Sequence, residues 1–488
     1  MKNHLTIFIV LFAFAFTSCK NYRQDPGITY YINSDEGDDK FPGTINKPIK
    51  TISEANNRIR STPGNILFAG GQVFDGTLVL KNIQLTDPSL VLIGSYGKGR
   101  SVINGGNNEA IRIESCHNIR IDSLKIMGNG RKDGNTTNGL QLINSSNCVV
   151  EDIYAEGFQK SGVDLYNCRN VDLLNVIAYG NGFCGINIMG SHQDSSVNIL
   201  IRDCQAENNA GDPTMLDNHS GNGILVGVSD SVIIDHCTAT NNGWDMPRQG
   251  NGPVGIWAWM SNNVTIQYCI SYRNKTSEGG KDGGGFDLDG GVTNSLIQYC
   301  LSYENEGAGY GLFQYSGASD WANNVIRYCV SINDAQTTEG AGSFFIWNGS
   351  DDSSQLTNCY IYNNVAYSTS APVLSFENAS GHENFLFCNN IFIGTGVMIT
   401  GKNSGSSYTD NIWTTASDPV IQGPFVPHIT DPYKLNTLTG FMLPSASKIK
   451  DSGIPIRSMY GFDPPSNDFF GNPCPKGSAP EPGIHELE

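Results

Sequence analysis

Basic residues are scarce in this sequence. Lysine and arginine together number 30 against 47 aspartates and glutamates, for a formal charge of −17. A surface with that balance argues against nucleic acid or anionic lipid as a partner, and against a polyanion held without a bridging cation. Long apolar runs are missing too. After the first residues no run approaches the ~20 residues of a membrane span. Helical periodicity is almost absent. The 13 cysteines do not fall into the spacing of a disulfide framework. At 488 residues the chain is long for one ordinary domain, a bound that elongated repeat folds escape.

What is present begins with "MKNHLTIFIVLFAFAFTSCK". Lys2 and His4 precede an apolar run from Leu5 to Phe16, and Thr17, Ser18 and Cys19 close it. A charged start, a short apolar stretch and small residues before the cut describe an export signal. The closing cysteine resembles a bacterial lipobox. Residues 1–18 are therefore expected to be removed and Cys19 to carry lipid, although Phe16 stands where such boxes usually carry leucine. Residues 19–28 would form a tether. The mature protein would sit on the bacterial cell envelope, at the outer membrane, as a monomer touching the membrane only through its anchor.

Cysteine recurs at a nearly fixed interval, at 204, 237, 269, 300, 329 and 359. The gaps are 33, 32, 31, 29 and 30 residues. Each cysteine ends a similar phrase ("ILIRDC", "IIDHC", "TIQYC", "LIQYC", "VIRYC", "QLTNC"), and each is followed by an asparagine, at 208, 241, 274, 305, 333 and 363. A second phrase opens each unit: "GLQLI", "GVDLY", "GINIM", "GILVG", "GIWAW", "GFDLD", "GYGLF". Leu140, Val163, Ile186, Ile224, Ile256, Phe286 and Tyr310 share one apolar column, and Leu142, Leu165, Ile188, Val226, Ala258, Leu288 and Leu312 another. Period-two apolar residues mean short strands with one buried face. Units of this length with short strands read as a solenoid of parallel coils. The expected fold is all-β, a parallel β-helix of about ten or more coils over residues 29–420. Thr51 and Glu54 form a capping box for a short N-terminal helix that covers the open end with Ile52, Ala55 and Ile59. An irregular segment, 421–488, packs back on the solenoid. The cysteines become one small inward side chain per coil, free and structural. The asparagines become a column of stacked amides at a left-handed turn.

The segments "YYINSDEGDDKFPGTINKPIKTISEA" and "DFFGNPCPKGSAPEPGIHE" resemble the opening and closing segments of exported right-handed β-helix proteins. The chain is similar, over nearly its whole mature length, to the pectate-lyase-like superfamily of carbohydrate-active proteins. That resemblance implies right-handed coils and a polysaccharide or oligosaccharide partner. It does not choose among hydrolase, lyase, epimerase and binding protein.

If the two apolar columns face inward, the residues between them face outward. These are Gln141, Asp164, Asn187, Leu225, Trp257, Asp287 and Gly311, with Ile143, Tyr166, Met189, Gly227, Trp259, Asp289 and Phe313 beside them. The middle of this strip carries two tryptophans and, one coil on, two aspartates. Long loops before these strands supply His219, Trp244, Arg248, Lys281 and Asp282. Trp257 and Trp259 are read as a sugar platform, or as packing beneath a loop. Substrate contacts are expected from Asp164, Asn187, Tyr166, Arg248, Lys281 and Trp244. Asp287 and Asp289 have three readings. They are an acid/base pair of a glycoside hydrolase, with an i, i+2 separation near ~7 Å that leans to inversion. They hold Ca²⁺ in a polysaccharide lyase, with Lys281 or Arg248 as base. Or they are structural, in a protein that binds glycans without catalysis. The scarcity of basic residues favours the first, with no cofactor. The second carboxylate of a hydrolase would be Asp289 itself or one of Asp164, Asp282, Glu304 and Glu339.

Overall fold

A computed structural model describes residues 27–85, 90–378, 380–418, 420–461 and 464–487. The export signal, Cys19 and most of the tether lie outside them. No helix among the described residues is long and apolar enough to cross a membrane.

Each coil contributes one strand to each of three parallel sheets. The first sheet, which carries the site, has 12 strands, running from Leu78–Lys81 to Ile399–Gly401. The other two are joined into one set of 25 strands. The join is local. The strands His117–Gly128 and Ser146–Glu156 pass from the second sheet to the third without a break. Ser123 and Asp152, at φ 57° and 56°, bend them at the corner.

Alternation fixes which face is buried. Leu140, Val163, Ile186, Ile224, Ile256, Phe286, Tyr310 and Phe344 lie in register and are all sealed in the core. The described cysteines are free, and all but Cys474 are buried. In a representative contact the Cys269 thiol donates to the Gln267 carbonyl at 3.1 Å. A thiol this small fills one inward position per coil and satisfies its weak donor on backbone.

The asparagines following the cysteines form two columns rather than one. The first is a left-handed turn position occupied by Asn208, Asn241, Arg273, Glu304, Asn333 and Asn363. The second, one residue later, is a buried amide ladder. Asn181, Asn209, Asn242, Asn274, Asn305 and Asp334 hand one hydrogen bond to the next at 2.8–3.0 Å. The two columns are confused in sequence because "NN" pairs supply both at once. An amide both donates and accepts, so it can continue a ladder indefinitely. Asp334 ends this run, and burial raises its carboxyl to about 6.

The cap is the helix Ile52–Ser61, with Ile52, Ala55 and Ile59 buried and Thr51 accepting from the Glu54 N–H at 3.1 Å. The reciprocal half of the capping box is taken over by Asp39, whose Oδ1 accepts from the Thr51 N–H, while Glu54 pairs with Arg58. At the other end, Leu435, Leu438, Phe441, Leu443, Ile456, Phe469 and Ile484 cover an apolar outer face that includes Leu301, Val330, Val365 and Ile391. These belong to the third sheet.

Candidate active site

The outward columns of the first sheet are where the sequence places them. Asp164, Asn187, Leu225, Trp257, Asp287, Gly311 and Phe345 follow one another in register. They do not form an open strip, because long loops cover the middle coils. Leu225, Trp257 and Asp287 are at most 3 % exposed. What remains open is a cavity of about 650 Å³ above Asp287.

Six of the expected residues meet there: Asp287, Asp289, Trp257, Trp259, Arg248 and Lys281. Asp287 is carried by the strand Gly284–Leu288, whose Phe286 and Leu288 anchor it in the core. Its Oδ1 is sealed from solvent and has no hydrogen-bond partner among the described residues. Burial, followed by the charges of Asp289 and Asp282, pushes its carboxyl well above the ordinary aspartate range. Asp289 lies just past the strand end, its N–H donating to the Ala258 carbonyl and its Oδ1 accepting from the Gly290 N–H at 2.7 Å. Burial raises it to about 7, against that hydrogen bond. Asp282 joins them. Its Oδ2 accepts from the Gly252 N–H at 2.7 Å, and burial lifts it to about 6. Three carboxyls, each raised by burial, thus share one cavity.

Glycine makes room for the rings. A Cβ at Gly227 would meet the Trp259 indole at 2.4 Å, so the absence of a side chain lets that ring lie back over the neighbouring coil. At Gly311 a Cβ would approach the Phe313 ring at 2.8 Å and Asp287 Oδ1 at 3.0 Å. Trp257 is fixed from behind. Its indole N–H donates to Asn222 Oδ1 at 3.1 Å. An indole nitrogen only donates, so this contact sets the Asn222 amide with its NH₂ towards His219 Nδ1, 3.0 Å away. His219 Nδ1 must then accept, and the proton sits on Nε2. Burial, with Arg248 nearby, lowers the ring to about 4, so it is neutral near pH 7. The ring packs edge-on to Trp257 with centroids 4.9 Å apart.

Four of the expected contact residues lie elsewhere. Asp164 and Asn187 are tied into a short polar ladder in which Asn187 Nδ2 and Gln141 Nε2 donate to the two Asp164 oxygens at 2.7 and 3.0 Å. Tyr166 is on an exposed stretch three to four coils away. Trp244 faces a separate cleft. Of the alternative second carboxylates, Asp282 and Glu339 line the cavity, whereas Glu304 pairs with Arg273 on another surface.

Several lining residues carry no role in the sequence reading: Phe313, Tyr315, Phe345, Trp347 and Glu377. The signal for most was available. The repeat continues two coils further in "FFIWN" and "LSFEN", and register places Phe345, Trp347 and Glu377 in the same outward columns. A further long loop, 333–343, adds Thr338, whose hydroxyl donates to the Asp282 carbonyl at 2.7 Å. The carboxyls therefore stand between two aromatic groups, Trp257 and Trp259 on one side and Phe313, Phe345 and Trp347 on the other.

Among the described residues no group of three or more His, Cys, Asp or Glu side chains converges as a metal cradle.

Comparison with known proteins agrees with this architecture. The family described as "Right handed beta helix region" matches residues 212–364. No curated protein matches by sequence. Among solved structures, the GH136 lacto-N-biosidase from Eubacterium ramulus aligns with 79 % of this chain and 68 % of its own, at 16 % identity and TM-score 0.55. The catalytic domain of a GH87 alpha-1,3-glucanase in complex with nigerose aligns with 80 % of this chain and 70 % of its own, at 13 % identity and TM-score 0.50. Likeness at these identities is likeness of fold, and with the parallel register and the family match it makes this chain a right-handed parallel β-helix protein.

Proposed function

We propose that the cavity binds a polysaccharide or oligosaccharide and hydrolyses a glycosidic bond, with Asp287 as general acid and Asp289 as general base. The observation that carries this is the Asp287 carboxyl, enclosed between two aromatic groups with one oxygen unpaired. An ionised carboxylate there would lack any compensating donor on that oxygen, so the group holds its proton at neutral pH. A protonated carboxyl in the lining of a sugar-sized cavity is what a departing alkoxide needs. Asp287 gives its proton to the glycosidic oxygen as the C–O bond breaks. Water attacks the anomeric carbon, and Asp289, ionised, takes the proton it releases. Two residues apart on nearly extended backbone, the two residues have Cα atoms about 7 Å apart, and an inverting outcome requires their carboxyl groups to stand about 6.5–9.5 Å apart. Sugar rings on either side rest their C–H faces on the partly exposed Trp259 and Trp347, with the buried rings of Trp257 and Phe313 packed beneath. The two solved structures named above are of a lacto-N-biosidase and an alpha-1,3-glucanase, which is consistent with this reading. It is the cavity that supports it.

The same proposal has the protein exported and held to the cell envelope by lipid on Cys19, as a monomer. Product analysis tests the chemistry. Incubation with a panel of plant and microbial polysaccharides is expected to release new reducing ends without near-ultraviolet absorbance, unaffected by chelator. Unsaturated products, or loss of activity on chelation, would establish a lyase. Binding without any product would establish a glycan-binding protein.

A further inference from the structure

A second cleft of about 680 Å³ lies beside the cavity, and the same two loops line both. Residues 241–253 present Trp244 to the cleft and Arg248 and Asn251 to the cavity. Residues 273–283 present Lys275 to the cleft and Lys281 and Asp282 to the cavity. The face that the sequence assigns to one groove is thus divided in two.

The cleft offers aromatic surface to solvent. Trp244 is 48 % exposed and Tyr179, also in the lining, 38 %. Trp244 is nevertheless held in place. The Arg131 guanidinium lies 5.5 Å from its ring centroid, donates to the Gly211 carbonyl at 3.0 Å, and pairs with Asp245. A guanidinium committed to a carboxylate fixes the indole and leaves the ring's other surface to solvent. Tyr179, Glu207 and Thr240 are in register on successive coils, and Trp244 follows Thr240 by four residues. The coils bearing the two rings are therefore ~10 Å apart along the axis. Between them lie the amides of Asn208 and Asn241, stacked by a hydrogen bond from Asn241 Nδ2 to Asn208 Oδ1. Among the described residues one carboxylate lines the cleft, Glu306, which holds the loop by accepting from the Thr276 N–H at 2.9 Å, while Glu207, on the coil between the rings, accepts from Asn208 Nδ2 at 3.3 Å. The cleft has rings and amides but no pair of free carboxyls, so it can bind and not hydrolyse.

We propose that this cleft is a second, non-catalytic glycan site, which takes a neutral or weakly charged sugar chain. Pyranose C–H faces lie on Trp244 and Tyr179, and hydroxyls meet Asn208, Asn241 and Lys275. It shares with the proposed function the carbohydrate class of ligand but not the chemistry, and the two fail separately. The full chain is run on native gels cast with polygalacturonan, arabinoxylan, xyloglucan or mixed-linkage β-glucan. Parent protein and Asp287→Asn are both expected to be retarded in at least one gel. Trp244→Ala and Tyr179→Ala should each weaken that retention by about 3- to 10-fold, the worth of one aromatic contact. Both side chains are exposed, so melting temperatures should match the parent's, and Trp244→Phe should keep most of the retention. Unchanged retention in the Trp244→Ala, Tyr179→Ala double variant overturns the proposal, as does the absence of retardation in every gel. Retention that depends on Trp244 in a protein that cuts none of the polymers upholds the second site and removes the hydrolase.

Discussion

Asp164 and Asp287 occupy the same outward column of the same sheet, four coils apart, and both are buried. Their surroundings are opposite. Asp164 has an amide donor on each oxygen, from Asn187 and Gln141. Asp287 has an unpaired Oδ1, the charges of Asp289 and Asp282 beside it, and an open cavity above it. Burial raises both carboxyls, but at Asp164 the two hydrogen bonds oppose the shift and at Asp287 nothing does. Position in a repeat makes a residue outward-facing. Whether it then serves the fold or the chemistry depends on whether its neighbours satisfy it.

Substitution should separate the two most sharply. Asp287→Asn is expected to lower turnover by about 10²- to 10⁴-fold, the usual contribution of a general acid, and to leave the melting temperature unchanged or higher. Asp164→Asn should leave turnover within a few-fold. It sets an amide NH₂ against one of its two donors, and an unmet buried donor costs about 1–3 kcal/mol in urea unfolding.

The next largest effect is on pH dependence. A carboxyl raised in the folded state contributes its full stability below the ordinary aspartate value of 3.8 and loses it as pH climbs through the folded value, about 6 for Asp282 and about 7 for Asp289. Stability of the parent should therefore fall between about pH 4 and pH 8. Asp289→Asn should flatten that slope, and be more stable than the parent at pH 8 but not at pH 4, as read by thermal melts across the range. Activity should rise with pH through 6–7 as the base ionises, then fall as Asp287 loses its proton.

Smaller effects are expected at the rings. Trp259→Ala and Trp347→Ala should each raise KM by about 3- to 10-fold with less change in kcat, since each removes one face of sugar contact on opposite sides of the carboxyls. Smallest is Gly311→Ala. Its Cβ, 2.8 Å from the Phe313 ring and 3.0 Å from Asp287 Oδ1, should cost a few-fold in rate and about 1 kcal/mol in stability as the ring shifts aside.

The core was legible because period-two alternation states it directly. Phe286 and Leu288 had to face inward, and Asp287 therefore outward. The cavity was legible in part. Trp257, Trp259, Asp287, Asp289, Arg248 and Lys281 converge, but outward position alone did not separate Asp164 or Tyr166 from them. Distance along the axis and the reach of loops decide that, and neither is periodic. The loops also hid the division of the groove, which puts Trp244 and Arg248, four residues apart, on different clefts. The asparagine ladder lies one residue later than the sequence suggests in four coils, because Asn208, Asn241 and Asn363 precede a second asparagine and Asn333 precedes Asp334, and either neighbour fits the column until hydrogen bonds distinguish them.

The most direct test measures reducing-end release at pH 6.5 from a polysaccharide that the parent cuts, using Asp287→Asn and Asp164→Asn side by side. The account predicts that Asp287→Asn still binds the polymer but releases product at least about 100-fold more slowly, while Asp164→Asn cuts at nearly the parental rate. Parental turnover by Asp287→Asn, or equal losses in the two variants, would contradict it.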